Sequence, residues 1–363
     1  MLLNEAVQAI ATELDASFSV VRIRSAKFLR PTHPGQRVVI EFSRSAPGEI
    51  RAERADPMPR DADSGLSQRP APEWVARPER GNTLAMRFMA WVARSLGRPA
   101  ARLLLYPICL YFLAFSPNAR AASRKYLAKA LDRDPTLADC YRQYLTFAAT
   151  ILDRVFLLDN QVARLDVRVH GAQVIEELLA EGRGCFLIGA HLGSFEIIRA
   201  VGTVRGLRVS MVMYEENAGK LQSVLAAINP RLQMDVIALG KADSILKVEA
   251  ALARGDVVGM LGDRTIKGEG TVPRPFFGEV ARIPTGPLRV AAMLRRPVAL
   301  MLALYRGGNR YDLHIERLSD LEWADRTERD RAIEQALERY VGRLEHYCRL
   351  APYNWFNFYD YWK

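Results

Sequence analysis

The residues best placed to do chemistry lie in one short stretch, GCFLIGAHLGSFE, residues 184–196. An apolar run ends at His191, and Leu-Gly-Ser then leads to a helix start carrying Glu196. Imidazole titrates near neutrality, so a histidine at a strand end is a candidate general base. Glu196 is five residues on and shares no helix face with His191. The two can meet if His191 sits on the turn and Glu196 in the first helical turns, where the carboxylate would fix the tautomer and support the charged ring. The bland alternative is a hydrogen-bonded structural histidine.

Other features narrow the chemistry. No GxSxG elbow occurs, so a serine hydrolase using His191 lacks its nucleophile motif, although Ser194 is near. No HxxxH or cysteine partner accompanies His191, so a zinc site is not expected there; no cofactor is expected either. GMLGDR, residues 259–264, ends a second apolar run with Asp263 and Arg264, which read either as a phosphate fork or as a pair organising the loop. VPRPFFGEVARIPTGP, residues 272–287, reads as an apolar Pro-rich loop entering a helix. Thr285 is its expected N-cap, and Gly286 and Pro287 fall in the first turn. Phe276 and Phe277 there could line an acyl groove, but packing is the preferred role.

The elements needed to position these groups follow from periodicity. Strand patterns occur at 184–190, 207–213, 234–238, 256–261, 298–304 and 311–316, and helical patterns at 194–204, 218–228, 242–253 and 285–294. The rhythm predicts an α/β fold with a mainly parallel sheet flanked by helices. Residues 120–180 read as helical and mixed. In 84–96, Phe88, Met89, Val92 and Leu96 share a face opposite Arg87 and Arg94, and Arg98 and Arg102 would extend the basic stripe. Gly97 and Pro99 should bend the chain. Residues 103–115 carry 13 positions without a charge, short of the ~20 of a full span. A core helix, an interfacial anchor and a span are all compatible with this stretch. The closing PYNWFNFYDYWK suits either a membrane interface or, preferably, packing on the core.

The set HLGSFE, GDR, FFG and PTGP, in this order and spacing, closely resembles the late acyltransferases of lipid A biosynthesis, the lauroyl/myristoyl transferase family. HLGSFE also matches the HX4(D/E) signature of glycerolipid acyltransferases. The resemblance runs from about 73 to 363, with Trp74, residues 79–81 and Gly97-Arg98 at its start and residues 354–362 at its end. It implies a glycerolipid acyltransferase-like fold and an O-acyltransferase. His191 and Glu196 are then the catalytic pair. Gly193, Ser194, Asp263, Arg264, Phe277, Gly278, Thr285 and Gly286 are expected around the substrates. The donor is an acyl-carrier protein or acyl-CoA thioester and the acceptor a lipid hydroxyl. No covalent enzyme intermediate is needed, and Cys185, inside an apolar strand, is a poor alternative nucleophile.

Residues 1–52 carry a helical pattern at 4–15 and strand patterns at 19–23 and 38–42. SAKFLRPTHPGQRVVIEF resembles the second half of a hot-dog-fold 3-hydroxyacyl-carrier-protein dehydratase, without that enzyme's catalytic residues; His33 does not match them. The expected organisation is a small α+β hot-dog-like fragment at 1–52, a Pro-rich linker at 53–82 and an acyltransferase domain at 83–363. The fragment favours a carrier-protein donor and adds an aryl-polyene lipid pathway as an alternative setting.

Composition sets the outer limits. Hydrophobic residues make up 49% and charged residues 25%, which supports a core and excludes global disorder. The net charge of +10 favours anionic partners such as membrane phospholipid, nucleic acid or an acidic carrier protein, without choosing among them. Nucleic acid is not expected, since no basic cluster interleaves with aromatics. Four scattered cysteines, two of them in apolar runs, point to the cytosolic side, and an N-terminus without a basic n-region makes a secretory signal unexpected; with the resemblance, this implies the cytoplasmic side of a bacterial inner membrane. A hydrolase using the same His/Glu pair and a non-catalytic acyl-lipid binding protein are the rival readings.

Overall fold

A computed structural model describes residues 39–46, 49–55, 83–159, 161–204, 206–214, 236–239, 243–264 and 270–363. The chain divides into two units, Met1–Pro70 and Ala71–Lys363. In the first, strands β1 (Val39–Ala46) and β2 (Glu49–Ala55) form an antiparallel pair. β1 overlaps the predicted strand at 38–42. β2 continues past Glu53 into the stretch expected to be linker. The helical pattern at 4–15 and the strand at 19–23 lie outside the described residues, as does the predicted helix at 218–228.

The second unit is built on seven strands: β3 (Asp166–His170), β4 (Cys185–Gly189), β5 (Val209–Tyr214), β6 (Val236–Leu239), β7 (Val257–Leu261), β10 (Val298–Gly307) and β11 (Arg310–Ser319). Their order is β3-β11-β10-β4-β7-β5-β6, parallel throughout except for the β10–β11 hairpin. The central strands read as unbroken apolar runs because both faces are covered. Phe186, Ile188, Val258, Leu300 and Leu302 pack into one core, and Cys185, Leu187, Val257, Ala299 and Met301 into the other.

Nine helices are described in this unit: α1 (Thr83–Ser95), α2 (Gly97–Phe115), α3 (Pro117–Leu131), α4 (Leu137–Leu158), α5 (Ala172–Ala180), α6 (Phe195–Val204), α7 (Ser244–Ala253), α8 (Gly286–Met293) and α9 (Arg326–Leu350). α4 opens with a reciprocal capping box between Thr136 and Asp139. α9 buries Ala336, Leu337, Tyr340, Val341, Leu344 and Tyr347 at helical spacing beneath a surface dense in charge. The segment 272–287, expected as a loop, is instead an antiparallel hairpin of β8 (Thr271–Phe276) and β9 (Glu279–Pro284). Its turn places Phe277 and Gly278 at positive φ, and its prolines occupy positions that a two-stranded ribbon tolerates.

The α1–α2 corner differs from the sequence expectation in one respect. Gly97 does break the chain, at φ 83°. Arg98, however, does not extend an exposed basic stripe. It forms a two-pronged ion pair with the fully buried Asp153 of α4, at 2.6 and 2.8 Å, and Tyr311 donates to the same carboxylate at 2.8 Å. A carboxylate taken out of water needs this compensation. Arg102 likewise turns inward, donating to the Tyr305 hydroxyl and the Gly308 carbonyl. On α2, Ala101, Leu105, Cys109 and Leu113 are buried at four-residue spacing, while Leu103, Tyr106, Leu110, Tyr111 and Phe115 are exposed. Phe88 and Trp91 of α1 are exposed too. α2 is the one described helix long and apolar enough to cross a membrane, yet it devotes one face to the protein core.

Candidate active site

β4 delivers His191 to the carboxyl edge of the parallel sheet, where open α/β sheets collect their functional groups. The turn after it is fixed on both sides. Leu192 bridges to Trp355 and Gly193 to Ala303. The Gly193 amide donates to the Asn354 carbonyl at 2.9 Å and the Ser194 amide to the Ala303 carbonyl at 2.8 Å. Gly193 has φ 78°, and a Cβ there would sit 1.8 Å from the Ala303 carbonyl oxygen. No L side chain fits without moving this turn. Gly193→Ala is therefore expected to lower both the melting temperature and the activity, since the His191 turn must shift to admit the methyl. Thermal unfolding and steady-state rates together check this.

The neighbouring strand β7 supplies Asp263. Its carboxylate is fully buried and accepts four hydrogen bonds: His191 Nδ1–H to Oδ1 at 2.8 Å, and the His191 amide (3.0 Å), Trp355 Nε1 (3.1 Å) and Asn357 Nδ2 (3.1 Å) to Oδ2. Burial alone would raise its pKa, but His191 and Arg264 outweigh this and hold it well below the usual carboxylate range. Gly262, just before it, approaches β4 closely: its amide donates to the Gly189 carbonyl at 3.0 Å, and a Cβ there would meet Ile188 at 2.9 Å. Tyr340 of α9 donates to that same Gly189 carbonyl at 3.0 Å. The ends of β4 and β7 are thus tied together beneath the pair they present.

His191 remains partly open, with 28% of its side chain exposed. Its pKa lies below the ordinary value, first through desolvation and then through the Arg264 charge, with Asp263 and Glu196 opposing. A neutral ring with Nδ1 donating to Asp263 leaves Nε2 as the atom able to take a proton. Activity that needs neutral His191 should hold from neutral pH down to an acid limb below about 6.5. Removing the cation in Arg264→Gln should move that limb to higher pH, which a kcat/KM profile would read.

Glu196 is not the imidazole's partner. The sequence expectation paired them, but the first turn of α6 directs Glu196 toward α4. There it forms an ion pair with Arg154 at 2.7 Å and accepts from the Ser194 hydroxyl at 3.2 Å. The buried Ser194 hydroxyl therefore donates to Glu196, not to His191. Arg264 donates to the Asn357 side chain at 2.8 Å and the Phe356 carbonyl at 3.0 Å, so it holds the C-terminal segment against the site.

Of the remaining expected residues, Phe277 and Gly278 form the β8–β9 turn. Phe277 is buried against Tyr126 and its amide donates to Glu345 at 2.6 Å. Thr285 stands at the N-cap position of α8, where Gly286 begins the helix. Its hydroxyl donates to the Gly270 carbonyl at 3.1 Å and makes no cap bond. None of these four makes a described hydrogen bond to His191 or Asp263. Phe276 reaches the pair indirectly, stacking edge-on against Trp355 at 5.4 Å.

The contribution the sequence reading missed comes from Trp355 and Asn357. Trp355 is fully buried, its ring packs on Tyr126, Phe276 and Tyr361, and its carbonyl accepts from Gln143 at 2.6 Å. The segment therefore packs on the core, as preferred, and it also completes the Asp263 shell. The clue in the sequence is the alternation of amide-bearing Asn354 and Asn357 with large rings, more polar than packing alone requires. The described cysteines are all buried and unpaired. Burial pushes Cys185 up to about 12, which disfavours a nucleophilic thiolate.

No curated protein sequence matches the chain significantly. The model of the bacterial lipid A biosynthesis acyltransferase family does match, over residues 76–363, and thus spans the seven-stranded sheet, the His191–Asp263 pair and the aromatic C-terminal segment. With well over half its length in that match, the chain belongs to the bacterial lipid A biosynthesis acyltransferase family.

Proposed function

We propose that residues 83–363 move a fatty acyl chain from the thioester of an acyl-carrier protein, or of acyl-CoA, to a hydroxyl of a lipid acceptor such as a lipid A precursor. The observation that carries this reading is the His191 ring, partly open and held at Nδ1 by the buried Asp263 carboxylate. The acceptor hydroxyl gives its proton to Nε2 as its oxygen attacks the thioester carbonyl. The tetrahedral intermediate then expels the thiolate, which takes the proton back from the imidazolium. The two transfers balance, and no acyl-enzyme is formed. Asp263 fixes the tautomer and offsets the ring's transient charge. Glu196 acts from further out, anchoring the first turn of α6 to α4 through Arg154. Arg264 acts by holding Asn357 and Phe356.

The enzyme would work at the cytoplasmic face of the bacterial inner membrane, seated through the exposed apolar faces of α1 and α2. A helix with one face in the protein core and the other presenting Leu103, Tyr106, Leu110 and Phe115 suits an interfacial position better than a span. The basic balance of the chain favours both anionic lipid and an acidic carrier protein.

The test is acyl transfer by detergent-purified protein, with labelled acyl-carrier protein or acyl-CoA and a bacterial lipid extract, wild type against His191→Ala. A labelled lipid that disappears in the variant supports the reading. His191-dependent free fatty acid alone would replace it with a hydrolase. For the membrane part, Leu103→Asp/Leu110→Asp is expected to lose most flotation with vesicles containing anionic lipid while keeping its thermal transition, because both side chains already face solvent. Unchanged flotation would remove α2 from the membrane contact.

A further inference from the structure

Outside the His191 site, the edge of the sheet gathers three residues far apart in sequence. β3 pairs with β11 in parallel, and the register sets His170 directly beside His314. Asp312 lies two residues before His314 on the same strand, so all three side chains share one face of the sheet. The opposite face of β11 is occupied by the buried Tyr311, Leu313 and Ile315, which leaves this face to the polar group. One donor atom from each residue comes within 4.8 Å of the other two. The two imidazoles stack at 4.7 Å and 12°, and His314 rests against the Tyr347 ring of α9 at 4.9 Å.

From this arrangement we propose that His170, Asp312 and His314 form a binding site for a divalent first-row transition metal ion, best suited to Zn²⁺. Two imidazoles and one carboxylate are a borderline donor set that favours Zn²⁺ over Mg²⁺ or Ca²⁺, which prefer all-oxygen sites. Three protein ligands leave a fourth tetrahedral position for water. Bonds of about 2.0–2.1 Å place tetrahedral donors about 3.4 Å apart, so the cluster must close slightly. Rotation of the exposed His170 ring allows this closure.

The surroundings fit the same role. Arg306 Nε pairs with Asp312 Oδ2 at 3.0 Å, leaving Oδ1 to coordinate and holding the carboxylate in place, as outer-shell partners of metal ligands do. Glu316, next on the same face, is not a ligand, since Arg343 and Tyr347 already engage it. Among the described residues, β3 is an edge strand and pairs only with β11. An ion here would clip that strand to the sheet, apart from the chemistry at His191.

The experiment uses the full chain without a histidine tag, with Zn²⁺ alone in equilibrium dialysis and Co²⁺ as the optical probe. The expected result is one ion per chain, tetrahedral Co²⁺ d–d bands without a thiolate charge-transfer band, and slower amide exchange across β3 when Zn²⁺ is present. His170→Ala, whose side chain is exposed and whose fold should survive, is expected to abolish all three. His314→Ala should do the same, and His191→Ala should leave them unchanged. Substoichiometric binding, binding that persists in His170→Ala, or binding lost in His191→Ala would overturn the assignment.

Discussion

His191→Ala is expected to lower kcat/KM for acyl transfer by about 10²–10⁴-fold, the usual contribution of a positioned general base. The loss should fall on kcat and leave KM for the acyl donor nearly unchanged, because proton removal matters only as the hydroxyl attacks. The fold should survive. Asp263 Oδ2 keeps its donors from the His191 amide, Trp355 and Asn357, and only Oδ1 loses a partner. An unpaired buried acceptor costs about 1–3 kcal/mol, visible as a lower melting temperature without loss of cooperativity. Single-turnover rates on the same preparations separate the two effects. A variant that retains wild-type kcat would remove His191 from the chemistry.

Asp263→Asn should be about as damaging, near 10⁴-fold, for a different reason. Three donors converge on Oδ2, so an asparagine there would keep its carbonyl oxygen on that side. Its NH₂ group would then point at His191 Nδ1. That nitrogen would have to accept, and the ring proton would move to Nε2, the atom needed as base. The same change in Glu196→Gln meets only Arg154 and Ser194 and should cost far less. Comparing the two amide variants decides which carboxylate serves the imidazole: a larger loss in Glu196→Gln would return that role to Glu196. Asp263 also sets an acid limit on stability. Its folded pKa is depressed, so its stabilising contribution is complete above the unfolded value near 3.9 and is lost as pH falls through the folded one. Asp263→Asn should therefore flatten the acid limb of the melting-temperature profile.

Much of the fold was legible in sequence wherever an element is covered on both faces. β4, β7 and β10 read as continuous apolar runs, and α6, α7 and α8 carry plain helical stripes. The missed elements are those whose signal is diluted. β3 is an edge strand of alternating exposure, DVRVH. α9 hides its buried stripe among charges, and the β8–β9 ribbon is masked by prolines that a two-stranded edge can accept. Arg98 was misread because an arginine beside an apolar helix face looks solvated until its partner, Asp153, arrives from 55 residues away.

What the sequence determined by itself is a set of candidate residues and the order of their motifs. An apolar strand ending in His191, a second ending in Asp263 and Arg264, and an aromatic C-terminus all follow from local pattern, which is encoded by neighbours along the chain. Which group serves which was decided only by tertiary structure. The proximity of Glu196 in sequence suggested one partner for the imidazole. Strand pairing between β4 and β7, 72 residues apart at the contacting pair, supplied Asp263 instead. Trp355 and Asn357, some 90 residues further on, closed its shell. Parallel strands bring their ends together regardless of chain distance, whereas a side chain in a first helical turn projects from whichever face the helix packing gives it. Hence Asp263 faces the ring and Glu196 faces Arg154.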